Sequence, residues 1–180
     1  MKPGPSFGES GFTLIDVLIS LFILAFGMLA LARVMAQSSL SEVEASQRSQ
    51  AMTLVQDLSE RINLNRKNAA AYVGDYSATW GSSGAADCSA MTTVLDTDRC
   101  EWQNLLAGST TLDGTSAIGA PIAARGCVIS PATNIYVIAV AWQGLVQTTG
   151  SDSACGANAF DREENRRVFS TVVQIATLGP

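Results

Sequence analysis

Between Phe12 and Ala32 the chain reads FTLIDVLISLFILAFGMLALA, 21 residues carrying a single charge, Asp16. At about 1.5 Å per residue, a helix of this length matches the roughly 30 Å hydrocarbon layer of a bilayer. A secretory signal peptide is the competing reading. Its apolar run is about 7–15 residues long, and a small-x-small cleavage site follows it. Here the run is longer, and the small residues Ser10 and Gly11 precede it. The expectation is one membrane-spanning helix behind a short polar leader, MKPGPSFGESG, with the remaining chain on one side of the membrane.

Helical signals continue beyond the span. No proline occurs between Pro5 and Pro121, and no glycine between Gly27 and Gly74. Leu40, Val43, Leu54, Val55, Leu58 and Ile62 recur mostly at spacings of three, four or their multiples, with polar residues between them. Arg61, Arg66 and Lys67 stand near the far end, where cations suit the helix dipole. The pattern predicts one helix from about Thr13 to about Lys67. Its first half faces lipid or identical helices, and its second half carries an apolar stripe that a domain must cover. A coiled coil competes, but the stripe holds few full heptads.

Composition changes after Asn68. Residues 74–99 are rich in Ser, Thr, Gly, Ala and Asp without a period, which reads as a surface excursion. Asp98-Arg99-Cys100-Glu101 has the spacing of a capping box opening a short helix through Trp102, Leu105 and Leu106. Strand signals follow at Gly126–Ile129, Ile135–Trp142 and Arg167–Ala176, with Pro131 and Asn134 as turn residues between the first two. A long Gly/Ser/Asp-rich stretch, residues 144–165, joins the last two. These signals predict an α+β fold: an antiparallel meander of three strands, with room for a fourth from the preceding region, packed on the amphipathic half of the long helix.

Charge and cysteines narrow the function. Eleven basic against sixteen acidic residues give −5, which disfavours a nucleic-acid partner held by a broad basic face. The chain has no histidine, which excludes Ser-His-Asp and Cys-His catalysis and histidine-ligated metals. Cys88, Cys100, Cys127 and Cys155 all lie beyond the span, without a CxxC pair, and their spacing does not suit a zinc site. In an exported head, two disulfides are the economical reading, with buried free thiols as the alternative. Of three possible pairings, Cys88–Cys100 and Cys127–Cys155 are favoured. The first ties down the irregular excursion, and the second pins the long connection to the sheet. Each such loop is worth roughly 3 kcal/mol in the chain-entropy picture.

Gly11-Phe12-Thr13-Leu14-Ile15-Asp16-Val17-Leu18 resembles the GFTLIEVL signature of type IV pilins and pseudopilins. The resemblance implies the type IV pilin fold, with a helix that is transmembrane in its first half. It implies cleavage by a prepilin peptidase between Gly11 and Phe12 and N-methylation of Phe12. It also implies four parts: a leader at 1–11, a transmembrane and assembly helix at 12–36, an amphipathic helix at 37–67 and a disulfide-stapled head at 68–180. Asp16 departs from the family's usual glutamate. The charge is kept and the reach is one methylene shorter.

An ionised Asp within an apolar helix costs about 2.5–3.5 kcal/mol on insertion scales. The resemblance implies that the carboxylate of one subunit meets the new amine of the next, offsetting both costs and setting the axial stagger of the helices. The alternative is that Asp16 reaches the hydrated interface or caps the helix. Major pilins often break this helix with a proline. Here only Gly27 interrupts it, as a packing site or as a residue tolerated at about 1 kcal/mol.

Downstream, Gln47–Ala51, Asp57–Asn63, Asn65-Arg66, Asp98–Trp102, Leu105-Leu106, Cys127–Ile129, Val140–Trp142 and Arg166-Arg167 are similar, in order, to segments of PilV-type minor pilins, the type IV pilus modification proteins. Read from the residues alone, Trp102 and Trp142 are core packing and Arg166-Arg167 a solvated strand start. The resemblance implies a minor pilin that primes pilus assembly within a tip complex, with a role in adhesion or motility, and no enzyme activity, cofactor or metal. Its partners would be the prepilin peptidase, other minor pilins, the major pilin and the inner-membrane assembly machinery with its separate ATPase. It would sit in the inner membrane with its head in the periplasm, then in the pilus at the cell surface. A minor pseudopilin of a type II secretion system shares the leader, helix and sheet. A DNA-uptake pilin would want a basic stripe, and only Arg162, Arg166 and Arg167 cluster. Asp161, Glu163 and Glu164 could form a carboxylate catalyst or a Ca²⁺ site, against the plainer reading of a solvated loop.

Overall fold

The computed structural model describes residues 13–77, 86–109, 111–113 and 116–176. The chain divides into two compact units, Met1–Glu42 and Val43–Pro180. Helix α1, Leu14–Leu64, contributes to both. Its apolar portion is long enough to cross a membrane, and among the described residues none of its most apolar stretch is buried.

In the first unit, the apolar side chains from Leu14 to Met35 are all exposed. The one hydroxyl on this stretch, that of Ser20, is satisfied locally. Ser20 Oγ donates to the Asp16 carbonyl at 2.7 Å, the i−4 back-bond that spares a hydroxyl from needing water. Phe22 and Phe26, one turn apart, meet edge to face with centroids 4.6 Å apart. Among the described residues a Cβ on Gly27 would touch nothing within 4 Å, so no contact among them requires glycine there.

In the second unit, α1 buries Gln47, Ala51, Leu54, Val55, Leu58 and Ile62, a stripe at helical spacing. Leu40 and Val43, expected on the covered stripe, are instead exposed at 45% and 43%, so cover starts about one turn later. The α-helix also ends earlier than expected, at Leu64. A 3₁₀ stretch, Arg66–Tyr72, carries the chain to Val73.

Four antiparallel strands, β1 Gly74–Ser77, β4 Arg125–Ala132, β5 Ile135–Gln143 and β6 Arg166–Gln174, form one sheet in the order β1-β4-β5-β6. Strands β2 Leu112–Asp113 and β3 Ser116–Ala117 pair separately. The fourth strand of the main sheet, for which the preceding region left room, is β1, at the start of the stretch expected to be a surface excursion. Four residues of mixed polarity carry too little alternation to announce a strand. Pro131, expected in a turn, lies inside β4 where the register shifts between Ile129 and Ala132, a site at which a missing N–H costs little. The turn falls on Thr133-Asn134, with Asn134 at φ 61°.

Alternation along the strands makes two cores. Tyr76, Val128, Tyr136, Ile138, Val140, Trp142 and Val173 join the α1 stripe and Trp102 in the larger one. Cys127, Ala139, Ala141 and Cys155, with Phe160 and Val168, form a smaller core under the 144–165 connection. Trp102 stands on helix α2, Val94–Leu106, and is fully buried. This helix does not open at Asp98. Thr93 is its N-cap, its hydroxyl accepting the Asp96 N–H at 3.1 Å, so Asp98 lies within the helix and its carboxylate is free for another task. A Cβ on Gly126 would lie 2.2 Å from Trp102 Cη2, so the indole needs glycine opposite it.

Candidate functional site

Two regions carry the functional argument: the start of α1 and the polar clamps of the head. Gly11 and Phe12, the expected cleavage and methylation positions, lie outside the described residues. At the start of α1, Asp16 Oδ2 accepts the backbone N–H of Thr13 at 3.0 Å and the Thr13 hydroxyl at 2.6 Å. This is the half of a capping box in which the third helical residue reaches back to the N-cap. The contact takes up the first orphan donor of the helix and gives the carboxylate two donors of its own. Asp16 is the acidic residue of the first turn, where the dipole also favours it.

In the head, Arg61 organises the far end of α1. Nε meets Asp57 at 2.8 Å, and Nη1 meets Asp98 at 3.1 Å and Glu101 at 2.7 Å. Burial works against the charge, but three carboxylates outweigh it and hold the guanidinium above its ordinary pKa. The other oxygen of Asp98 accepts the Tyr72 hydroxyl. Burial, followed by the Asp98 bond, pushes the Tyr72 phenol up to about 12. The Tyr76 hydroxyl donates to the Tyr72 carbonyl at 2.6 Å, extending the network into the core. It joins α1, the 3₁₀ stretch and α2.

The 144–165 connection is held by two successive arginines that the period-2 pleat sends to opposite sides. Arg166, expected to be solvated, is only 5% exposed. Its guanidinium bonds the carbonyls of Ser151 at 2.8 Å, Ser153 at 2.7 Å and Cys155 at 2.9 Å, and its Nε bonds Glu163 at 2.6 Å. Four bonds at a fixed planar fork explain how a charge is buried here. Arg167 instead turns to Glu44 on α1, 3.4 Å away. The same Glu44 oxygen, Oε1, accepts the N–H groups of Leu145 and Val146 at 2.9 and 3.0 Å.

Two disulfides complete the head. Cys88–Cys100 ties the segment before α2 to that helix, and Cys127–Cys155 pins the long connection to β4. Among the described residues no cysteine is free.

The acidic trio does not converge. Among the described residues no group of metal-ligating side chains forms, and the Glu163 carboxylate is already engaged by Arg166 and by the Asn158 N–H. Those partners hold its pKa below the usual carboxylate range. A hollow of about 280 Å³ beside the Cys127–Cys155 bridge, lined in part by Asp75, Ile129 and Ser170, is smaller than the usual small-molecule site.

Sequence reasoning missed the role of Glu44 and the buried state of Arg166. Glu44 acts on residues a hundred positions away, and nothing local marks it. The Asp57–Arg61 pair was missed as well, although its i and i+4 spacing on one helix is a signal that could have found it.

A long N-terminal helix, apolar in its first half and covered in its second by a four-stranded antiparallel sheet, is the α+β arrangement of the type IV pilin fold. The chain is type IV pilin-like: residues 34–106 match the family described as Tt1218-like, type IV pilin Tt1218. No curated protein and no solved structure matches the chain. The family supports a pilin role, and the apolar helix fits membrane anchoring of such a protein.

Proposed function

We propose that this chain is a minor pilin of the PilV type, a filament subunit rather than a catalyst. The prepilin peptidase cuts between Gly11 and Phe12, and Phe12 is methylated. The mature helix stays in the inner membrane with the head in the periplasm until the assembly machinery extracts it. With other minor pilins it primes the filament and takes a place in the tip complex, on which the major pilin follows. Adhesion or motility would be served from that position.

The observation that carries this reading is the start of α1, where one carboxylate, Asp16, is the only charge of an exposed apolar run. A helix of that kind is stable in lipid or among like helices, and its single charge is a recognition element for an amine. Phe12 would supply that amine after cleavage. The test is mass analysis of the N-terminus in sheared filaments. The expected species begins at methylated Phe12, and Gly11→Val leaves the precursor in the membrane. A retained leader, or a cut near Ala36, would overturn the reading.

A further inference from the structure

The two edges of the main sheet differ. β1 is four residues long, a short edge of the kind that discourages pairing. β6 is nine residues long and pairs with β5 over its whole length, from Arg166 opposite Gln143 to Gln174 opposite Ile135. Beyond β5, contacts occur at its start, where Thr148 N bonds the Glu164 carbonyl and the Arg167 side chain reaches Thr148. From Val168 to Gln174, every described backbone bond of the strand goes to β5.

In an antiparallel pair, alternate residues direct their N–H and C=O groups away from the partner. The segment Val168-Phe169-Ser170-Thr171-Val172-Val173-Gln174 therefore presents a row of outward main-chain groups. It contains none of the usual guards of an edge: no proline, glycine, charge or register shift against β5. Val172 is 64% exposed and stands level with Val137, which stands level with Ile129, itself 54% exposed. This is an apolar row across three strands that stops at the β6 edge.

We infer that the outer edge of β6, Val168–Gln174, docks an extended, uncharged strand of another polypeptide, with an aliphatic side chain beside Val172. The unpaired main-chain row specifies the occupant's backbone, because only an extended strand matches alternating donors and acceptors. Exposed Val172 and Ile129, with half-buried Val137 between them, specify its side chain. The inference stands on strand geometry and does not depend on the filament reading.

The test is hydrogen exchange on residues 168–174 of the full chain in dodecyl maltoside micelles. The probe is a blocked, uncharged peptide, Gln-Thr-Val-Thr-Val-Thr-Val-Gln, and the control carries proline for its central valine. In the free chain about half of these amides exchange fast. The probe slows that fast set by about tenfold, and the control does not. Val172→Lys abolishes the slowing while both disulfides still form. A free chain with no fast set, equal slowing by both peptides, or no slowing at all would overturn the inference.

Discussion

The indole Nε1 of Trp102 donates to the backbone carbonyl of Leu54 at 2.9 Å, fastening α2 to the middle of the covered half of α1. The same ring meets Tyr76 edge to face at 5.0 Å and rests over Gly126. Three elements thus close on one side chain that has its only polar atom satisfied.

Gly126→Ala should destabilise the head by about 1–3 kcal/mol, because Trp102 is fixed by its hydrogen bond and cannot withdraw. Urea unfolding followed by tryptophan fluorescence reads the change. A variant as stable as the parent would mean that the indole relaxes freely. Trp102→Phe in the Gly126→Ala background should recover part of the loss.

Arg166→Lys keeps the charge but cannot bond three carbonyls and Glu163 together, so about 2 kcal/mol should be lost. The loss should be local first. Limited proteolysis should cut within residues 144–165 while β5 and α1 stay protected. Cleavage at parental rates would contradict the clamp.

Tyr72 gives an alkaline test. Its phenol titrates near 12 in the fold, above the usual 10.0, so the folded state binds the proton more tightly. The stabilisation is complete below about pH 10 and is lost as pH rises through about 12. Tyr72→Phe should remove this dependence. At the acid end the sign reverses for Glu163. Its lowered pKa gives stabilisation present above the ordinary carboxylate value and lost as pH falls through the folded value. Denaturant midpoints against pH for parent, Tyr72→Phe and Glu163→Gln check both. A parallel decline in parent and variants would contradict the assignment.

Much of the frame was legible because it rests on local pattern. The 21-residue apolar run announces a span, and Leu54, Val55, Leu58 and Ile62 announce the face that the head covers. β5 and β6 are continuous β-branched and aromatic runs. The helix start at Thr93 was less legible because two plausible boxes, Thr93 with Asp96 and Asp98 with Glu101, fall within nine residues of one another. The choice depends on Arg61 and Tyr72, which claim Asp98 from outside the helix. Arg166 was misread for a related reason. A strand-start arginine is ordinarily solvated, and only the return of the 144–165 connection supplies the carbonyls that bury it. Long-range polar contacts leave no period in the sequence.

Removing the Cys127–Cys155 bridge by paired serine substitution should cost about 2–4 kcal/mol and expose the small core of Ala139, Ala141, Phe160 and Val168. Non-reducing peptide mapping of the parent should recover this pair and Cys88–Cys100 without a free thiol. Cross-paired peptides would contradict it.

The central claim is that Asp16 serves assembly, and its most direct measurement is the amount of chain in sheared filaments relative to the membrane pool. Asp16→Ala should leave membrane insertion intact, and the head's disulfides and protease resistance unchanged, because the hydrogen bonds of Asp16 among the described residues are those with Thr13 and Ser20. Filament incorporation should fall by about tenfold or more, a loss of roughly 1.4 kcal/mol or greater for a charge left without its partner. Asp16→Glu should incorporate like the parent. If Asp16→Ala reaches filaments at parental levels, the carboxylate is only the helix cap that its bonds to Thr13 form, and the charge-pairing account fails.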